Sequence, residues 1–229
     1  MALEVTTTHL TNGKGGGATS FNTASISPSS NKLIICTVFS QVNSGGANEP
    51  TMSGNNLTWT KIKTQANTSD TNQRITAFRA MGAPTSGAAT IDFGGQTTTS
   101  VFWGIEEFGN VEVSGTAGAN AVVQSTSKSE NTGDPMSMTL TLSAFGSTKN
   151  ATYAAMIGPD TITQPAGFTS IFTDTQDLGP DNNVAACWKA GNSTSSIFTS
   201  TGGGSNVATG LAFEIKFAIN QGGFIFNMV

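Results

Sequence analysis

Short runs of alternating apolar and polar residues recur along the chain, each bounded by Gly, Asn, Ser or Pro. Successive side chains of a strand point to opposite faces, so such runs predict β-strands; helical periodicity never persists for three turns. In the first half the predicted strands are "LEVTTTHL" (3–10), "TSFNTASIS" (19–27), "KLIICTVFSQ" (32–41), "LTWTKIKTQ" (57–65), "RITAFRAM" (74–81), "AATIDFG" (88–94) and "TSVFWGIEEF" (99–108). The last places Val101, Trp103 and Ile105 on one face and Phe102, Gly104 and Glu106 on the other. It predicts Trp103 in a core and the glutamates mostly in water, with Glu107 at the core's edge or at a bulge.

The second half replays this order. "AVVQSTSKS" (121–129), "MSMTLTLS" (136–143), "NATYAAMIG" (150–158) and "AGFTSIFTDTQ" (166–176) stand where the first four runs stood. "SSIFTSTGG" (195–203) and "NVATGLAFEIK" (206–216) answer the last two. Between them "NVAACWKAGNS" (183–193) is a near-twin of "QRITAFRAMGA" (73–83). The twins predict Phe78 and Trp188 in the core, with Arg79 and Lys189 in solvent. Equivalent segments in one shared order indicate an internal duplication. The expected fold is all-β, β-sandwich or jelly-roll-like, with repeats at 1–112 and 113–216 and an apolar tail at 217–229. Tandem packing and one merged sandwich both fit the pattern.

Composition sharpens this picture. Charged residues are only 10% of the chain, and hydrophobics a modest 37%. Thr, Ser, Asn and Gly fill the difference, giving a polar but uncharged surface suited to strands and turns. A net charge of −4 supplies no basic face for nucleic acid. No apolar run is long enough to span a membrane, and the start "MALEVTTTHL" has no signal-peptide core. Synthesis in a host cytoplasm is therefore expected, with viral assembly and lysis as one way out. Cys36 and Cys187 lie in apolar strand runs and are expected to be buried free thiols; a disulfide between the halves is the alternative.

Residues that could carry chemistry are few. His9 is the one histidine and reads as a polar edge-strand or surface residue. "NGKGGGATS" (12–20) lacks the spacing of a phosphate loop and reads as a flexible hairpin tip. Glu106 and Glu107 are adjacent, hence on opposite faces, and cannot flank one glycosidic bond together; Glu214 repeats their position. The loop "TDTQDLGPDNN" (173–183) gathers Asp174, Asp177, Asp181, Asn182 and Asn183 without EF-hand spacing, and reads as a solvated turn. The four Asn-x-Ser/Thr triplets, at Asn56, Asn67, Asn150 and Asn192, arise readily in a chain this rich in Ser and Thr. No catalytic residue, metal site or cofactor is expected.

The order "NNLTWTKI…RITAFRAMGAPTSGAATIDF…VFWGIEEFGNVEV", followed by "PAGFTSIF…VAACWKAG…NVATGLAFEIK", resembles a duplicated β-sandwich module of tailed-phage virion structural proteins and some bacterial surface proteins. The resemblance covers roughly residues 25–216. It implies a non-catalytic structural or adhesive role and transfers no functional residues. The expectation is a virion structural protein, a capsid decoration or other exterior component, whose partners are other virion proteins or copies of itself. A carbohydrate-binding or receptor-binding module is the alternative, with surface glycans as partner and Trp59 and the 173–183 loop as candidates.

The tail "FAINQGGFIFNMV" (217–229) has no counterpart in the first repeat. Its Phe224, Ile225, Phe226, Met228 and Val229 are the candidate partner-binding residues, either folded back on the chain or added as a strand to a neighbouring subunit. Deleting residues 218–229 is expected to leave a folded chain that assembles poorly. Unchanged assembly on size-exclusion chromatography would count against that role.

Overall fold

Two strands are apolar or small on both faces, and they set the architecture. The computed structural model describes residues 4–131, 133, 135–159, 161–175, 182–201 and 207–218. Within these, every residue of Leu33–Gln41 and of Ala151–Pro159 is buried. A strand buried on both faces needs a covering layer on each side. The fold supplies them.

Among the described residues sixteen strands carry the fold. The first half contains β1 (Thr6–Gly15), β2 (Ser20–Asn22), β3 (Leu33–Gln41), β4 (Thr51–Gly54), β5 (Thr60–Ala66), β6 (Gln73–Ala80), β7 (Ala89–Asp92) and β8 (Ser100–Gly109). A short 3-10 stretch (Thr116–Ala121) leads into the second half. There follow β9 (Val122–Glu130), β10 (Met136–Thr141), β11 (Ala151–Pro159), β12 (Thr161–Thr163), β13 (Thr169–Thr175), β14 (Asn182–Lys189), β15 (Ser195–Thr201) and β16 (Ala208–Ile215). They form five-stranded sheets β1-β8-β3-β6-β5 and β9-β16-β11-β14-β13, and three-stranded sheets β2-β7-β4 and β10-β15-β12. The second half thus repeats the strand order of the first, strand for strand. Both five-stranded sheets also carry a bulge at the same place in an edge strand, at Ile62 of β5 and Ile171 of β13.

The sheets stack in four layers around three cores. The five-stranded sheets face each other: Leu33, Ile35, Phe39, Phe102 and Phe108 meet Tyr153, Ile157, Leu211, Phe213 and Ile215 in the central core. The three-stranded sheets cover the outer faces, one over Ile34, Cys36, Val38, Trp103 and Ile105, the other over Ala154, Met156, Ala185 and Cys187. Each half is thus a two-sheet sandwich around its own outer core, and the halves pack face to face through the shared central core. Each fully buried Phe or Leu contributes roughly 1.5–3 kcal/mol. Between the two central strands, Thr37 Oγ1 and the Tyr153 hydroxyl share a hydrogen bond of 2.8 Å. β1 lies along β13 at one edge of the central sandwich, and β5 along β9 at the other.

Three expectations change. Strand β1 runs on through Asn12–Gly15, so the glycine-rich segment is not a loose tip over its first part. A Cβ on Gly13 would lie 2.5 Å from Cζ2 of Trp103, so the glycine lets the indole pack against the strand. The twins at Phe78 and Trp188 are offset by one residue in the sheets. Phe78 pairs with Cys36 and faces the outer core, whereas Trp188 pairs with Tyr153 and packs against the central one. In register, Arg79 is the counterpart of Trp188, and neither base is fully exposed. Lys189 extends over the Phe168 ring at 5.8 Å. Finally, Glu106 is not wet: it is fully buried in the central core, because the face it shares with Phe102 and Phe108 is covered by the second sheet.

Gly104, two residues before Glu106 on the same face, has no room for a methyl group: a Cβ would overlap Phe172 Cε1 and stand 2.8 Å from Glu106 Oε1. Gly104→Ala is expected to destabilise the fold by about 1–3 kcal/mol through overpacking. Gly146→Ala, at a position with nothing within 4 Å, should leave it nearly unchanged. Urea unfolding of both variants is the check.

Candidate functional site

The polar group least expected in this fold is Glu106. Strand β8 carries it into the central core, where it is 0% exposed, and neither carboxylate oxygen accepts a well-formed hydrogen bond. Strand β1 brings His9 opposite it in register, with Nδ1 3.4 Å from Glu106 Oε1. The imidazole side chain is 33% exposed, its Nε2 lies 3.1 Å from Asn12 Oδ1, and its ring stands 5.9 Å from that of Phe172. Tyr153, held by Thr37, completes the surroundings.

Burial governs the electrostatics. It pushes the Glu106 carboxyl up to about 7, with His9 and Tyr153 giving partial relief. Glu106 in turn raises His9 above its ordinary value, against the opposing effect of partial burial. The same burial, with Glu106 close by, holds the Tyr153 phenol and the Cys36 thiol far up, so both are neutral. The pair can therefore hold and release a proton near neutrality. It cannot touch a substrate through Glu106, which has no open face.

The other carboxylates singled out in the sequence serve as fasteners. Glu214 is 1% exposed; its Oε1 accepts from Asn150 Nδ2 at 2.5 Å and its Oε2 from Gln124 Nε2 at 2.6 Å. Asn150 Oδ1 accepts in turn from the Phe217 amide at 3.0 Å. Glu107 sits at the outer core's edge, without a bulge in β8, and accepts from the Ser29 amide at 2.5 Å. Asp174 pairs with Lys14 at 3.2 Å and so ties the second half to the first. Asp177 and Asp181 lie outside the described residues, as does the side chain of Asn182, so the 173–183 cluster is not assembled here. Among the described residues no group of three His, Cys, Asp or Glu side chains converges as a metal site would require.

Cys36 and Cys187 are buried free thiols in the two different outer cores. Trp59 leans on the first outer core, with Nε1 donating to the Gly54 carbonyl at 3.3 Å. Asn67 and Asn150 of the four triplets are buried, at 0% and 4% exposure. The candidate tail residues Phe224, Ile225, Phe226, Met228 and Val229 lie outside the described residues. The described chain approaches them through Val111, which bridges to Phe217, and through the Ala218 amide, which donates to Asn110 O at 2.9 Å.

Fold and site together define an all-β, four-layer sandwich protein with a buried glutamate beside a partly exposed histidine. No protein-family model, no curated protein and no solved structure matches the chain. Alternation alone did not reveal the pair, because it places Glu106 on a face without saying that the face is covered. The available signal was "KLIICTVFSQ", whose continuous apolar run marks a sheet buried on both sides.

Glu214 yields the site's clearest stability test. Glu214→Ala would leave the buried Asn150 amide donor without its acceptor, while Gln124 Nε2 keeps the Ser143 carbonyl at 3.1 Å, and is expected to cost about 1–3 kcal/mol. Denaturant unfolding measures it; a loss under about 1 kcal/mol would show that water replaces the carboxylate.

Proposed function

We propose that the protein is a non-catalytic structural component of a tailed-phage virion, a capsid decoration or other exterior part acting through contacts with other virion proteins or copies of itself. The observation that carries this reading is how the chain uses its polar groups. Glu214 fastens β16 to the start of β11 and to β9, Glu107 holds the segment before β3, and Lys14–Asp174 joins the halves. Glu106, the carboxyl group best tuned for proton transfer, is sealed from any substrate. Side chains that an enzyme would present at a cleft are here spent on joining sheets. The sequence resemblance to virion modules supports the same reading, as does the polar, weakly charged surface.

One observation favours the adhesive alternative. An open groove of about 430 Å³ at one end of the first half is lined by Gly17, Val42, Asn43, Ser44, Gln96 and Thr97–Thr99. Its uncharged hydroxyl and amide groups match the hydrogen bonding of sugar hydroxyls.

Mass spectrometry of purified particles from a host producing this chain tests the main reading. The intact protein is expected in many copies per particle, and its absence from particles would overturn the proposal. A glycan array separates the alternative: saturable binding would shift the role from assembly to adhesion.

A further inference from the structure

The two edges of the central sandwich are closed by different chemistry. Along β5 and β9 the contacts are neutral hydrogen bonds. Ser127 Oγ donates to Gln65 Oε1 at 2.9 Å, and the Thr68 and Ser129 hydroxyls meet at 2.8 Å. Nearby, Asn67 Nδ2 donates to Ala208 O at 2.9 Å and Thr209 Oγ1 to Gln73 Oε1 at 3.0 Å. Along β1 and β13 the contacts are the Lys14–Asp174 ion pair, the His9 ring beside Phe172, and Glu106 behind them. The hydrogen bonds named across the first edge involve no ionisable group, whereas the contacts across the second do.

The fold does not demand a carboxyl group there. On β3, Ile35 is flanked across the sheet by Arg79 and Glu106; on β11, Tyr153 at the same strand position is flanked by Trp188 and Phe213. His9 opposite Glu106 corresponds to Ser125 opposite Phe213. Phe213 solves the same packing problem without charge, stacking on Tyr153 at 4.7 Å. The acid and the imidazole are thus an addition to an architecture that has an apolar solution.

We propose that His9 and Glu106 form a proton-operated closure of the β1–β13 edge: protons held on the pair keep the edge shut, and their loss draws in water and loosens β1 from β13. Three features carry this. The carboxylate is fully buried with both oxygens unsatisfied among the described residues. The partly exposed imidazole is its path to solvent. The surrounding space is filled by Phe172 against Gly104, so an ionised carboxylate gains water only if the edge opens.

Among the described residues no other group nearby neutralises the charge. From β3 the inner face presents Leu33, Ile35, Thr37 and Phe39, and from β14 Val184, Ala186 and Trp188. From β11 comes Tyr153, a neutral phenol; from β13 comes Asp174, already paired with Lys14 of β1. Cys36 and Cys187 lie on the outer faces, and Arg79 stands on β6 beyond Ile35.

The sign is the same for both groups. Burial raises Glu106 from 4.5 to about 7, so the folded chain keeps a proton that the unfolded chain releases from 4.5 upward. His9, raised above 6.5 by Glu106, likewise binds its proton more tightly when folded. Folding must therefore weaken as pH rises from 4.5 through neutrality. The exposed Glu112, lowered chiefly by its hydrogen bonds to Ser114, acts oppositely and only below its ordinary range, so it does not disturb this window.

Urea unfolding of the wild-type chain and of Glu106→Gln, from about pH 5 to about pH 9, tests the closure. The wild-type folding constant is expected to fall by roughly tenfold per pH unit up to neutrality, while the variant's changes about twofold or less. Hydrogen exchange at matched pH should run faster above neutrality in the wild type than in the variant at residues 6–15 and 169–175, and equally at residues 60–66 and 122–130. Parallel pH curves, or equal exchange along β1 and β13, would overturn the proposal. Should the variant not fold, the Glu106 carboxyl can be titrated by carbon NMR in the wild type. A midpoint near 7 supports the closure and one in the ordinary range near 4.5 sinks it.

Discussion

Everything in this fold follows from burying two sheets on both faces. β3 and β11 have no exposed side, so each five-stranded sheet must be covered twice, once by the other and once by a three-stranded sheet. Backbone pairing within the sheets satisfies the amides, leaving side-chain volume as the constraint. The halves meet it differently. The first sheet offers large residues outward, Ile34, Val38, Trp103 and Ile105. The second offers Ala154, Ala185, Ala208, Gly210 and Ala212, and the covering sheet fills the space with Met136, Met138, Leu140 and Phe198. A Cβ on Gly210 would stand 2.6 Å from Met138 Sδ, so the small residue is required by the large one above it.

The shared strand order makes the central interface nearly two-fold symmetric: β1 to β5 of one sheet run opposite β13 to β9 of the other. An interface of this kind places equivalent residues around one axis, with β3 against β11 at its centre. Some polar groups there are paired and others are not: Arg79 Nε and Trp188 Nε1 are buried without a hydrogen-bond partner among the described residues. Thr37 and Tyr153 satisfy each other at the centre, and neutral amides and hydroxyls close one edge. The β1–β13 edge differs in burying a carboxyl group whose two oxygens lack a well-formed hydrogen bond among the described residues.

Much of the fold was readable from alternation, and the limits have physical causes. The longer strands fall where the runs predict them, usually within a residue or three. β4 and β12 lie outside the predicted runs: each is only three or four residues long and, unlike β2 and β7, has no longer alternating run around it. The glycine run misled because composition stood in for contact: Gly13 and Gly15 are small to admit Trp103 and Phe21, not to be flexible. The twin motifs misled through a shift of one residue, which in a pleated sheet exchanges the faces. Phe78 and Trp188 therefore face different cores despite their matching neighbours. The site was the least readable part. A glutamate next to a glutamate suggests solvent, and only the second covering layer, contributed from across the chain, makes Glu106 buried.

That asymmetry bears on how such a chain selects its own partner sheet. Two halves of the same order could in principle pair sheet to sheet between molecules, first with first or second with second. A first-with-first pairing would bury two Glu106 carboxyl groups and set Ile35, not Tyr153, against Thr37, leaving that hydroxyl unsatisfied. A second-with-second pairing would set Tyr153 against Ala155 in place of Thr37, and lose the same bond. Unpaired buried polar groups cost more than the bond they forgo contributes, so both alternatives are penalised where the observed pairing is not. The polar centre and the charged edge thus favour the first-with-second pairing over its symmetric rivals, and do so with groups that the apolar packing alone would not have needed.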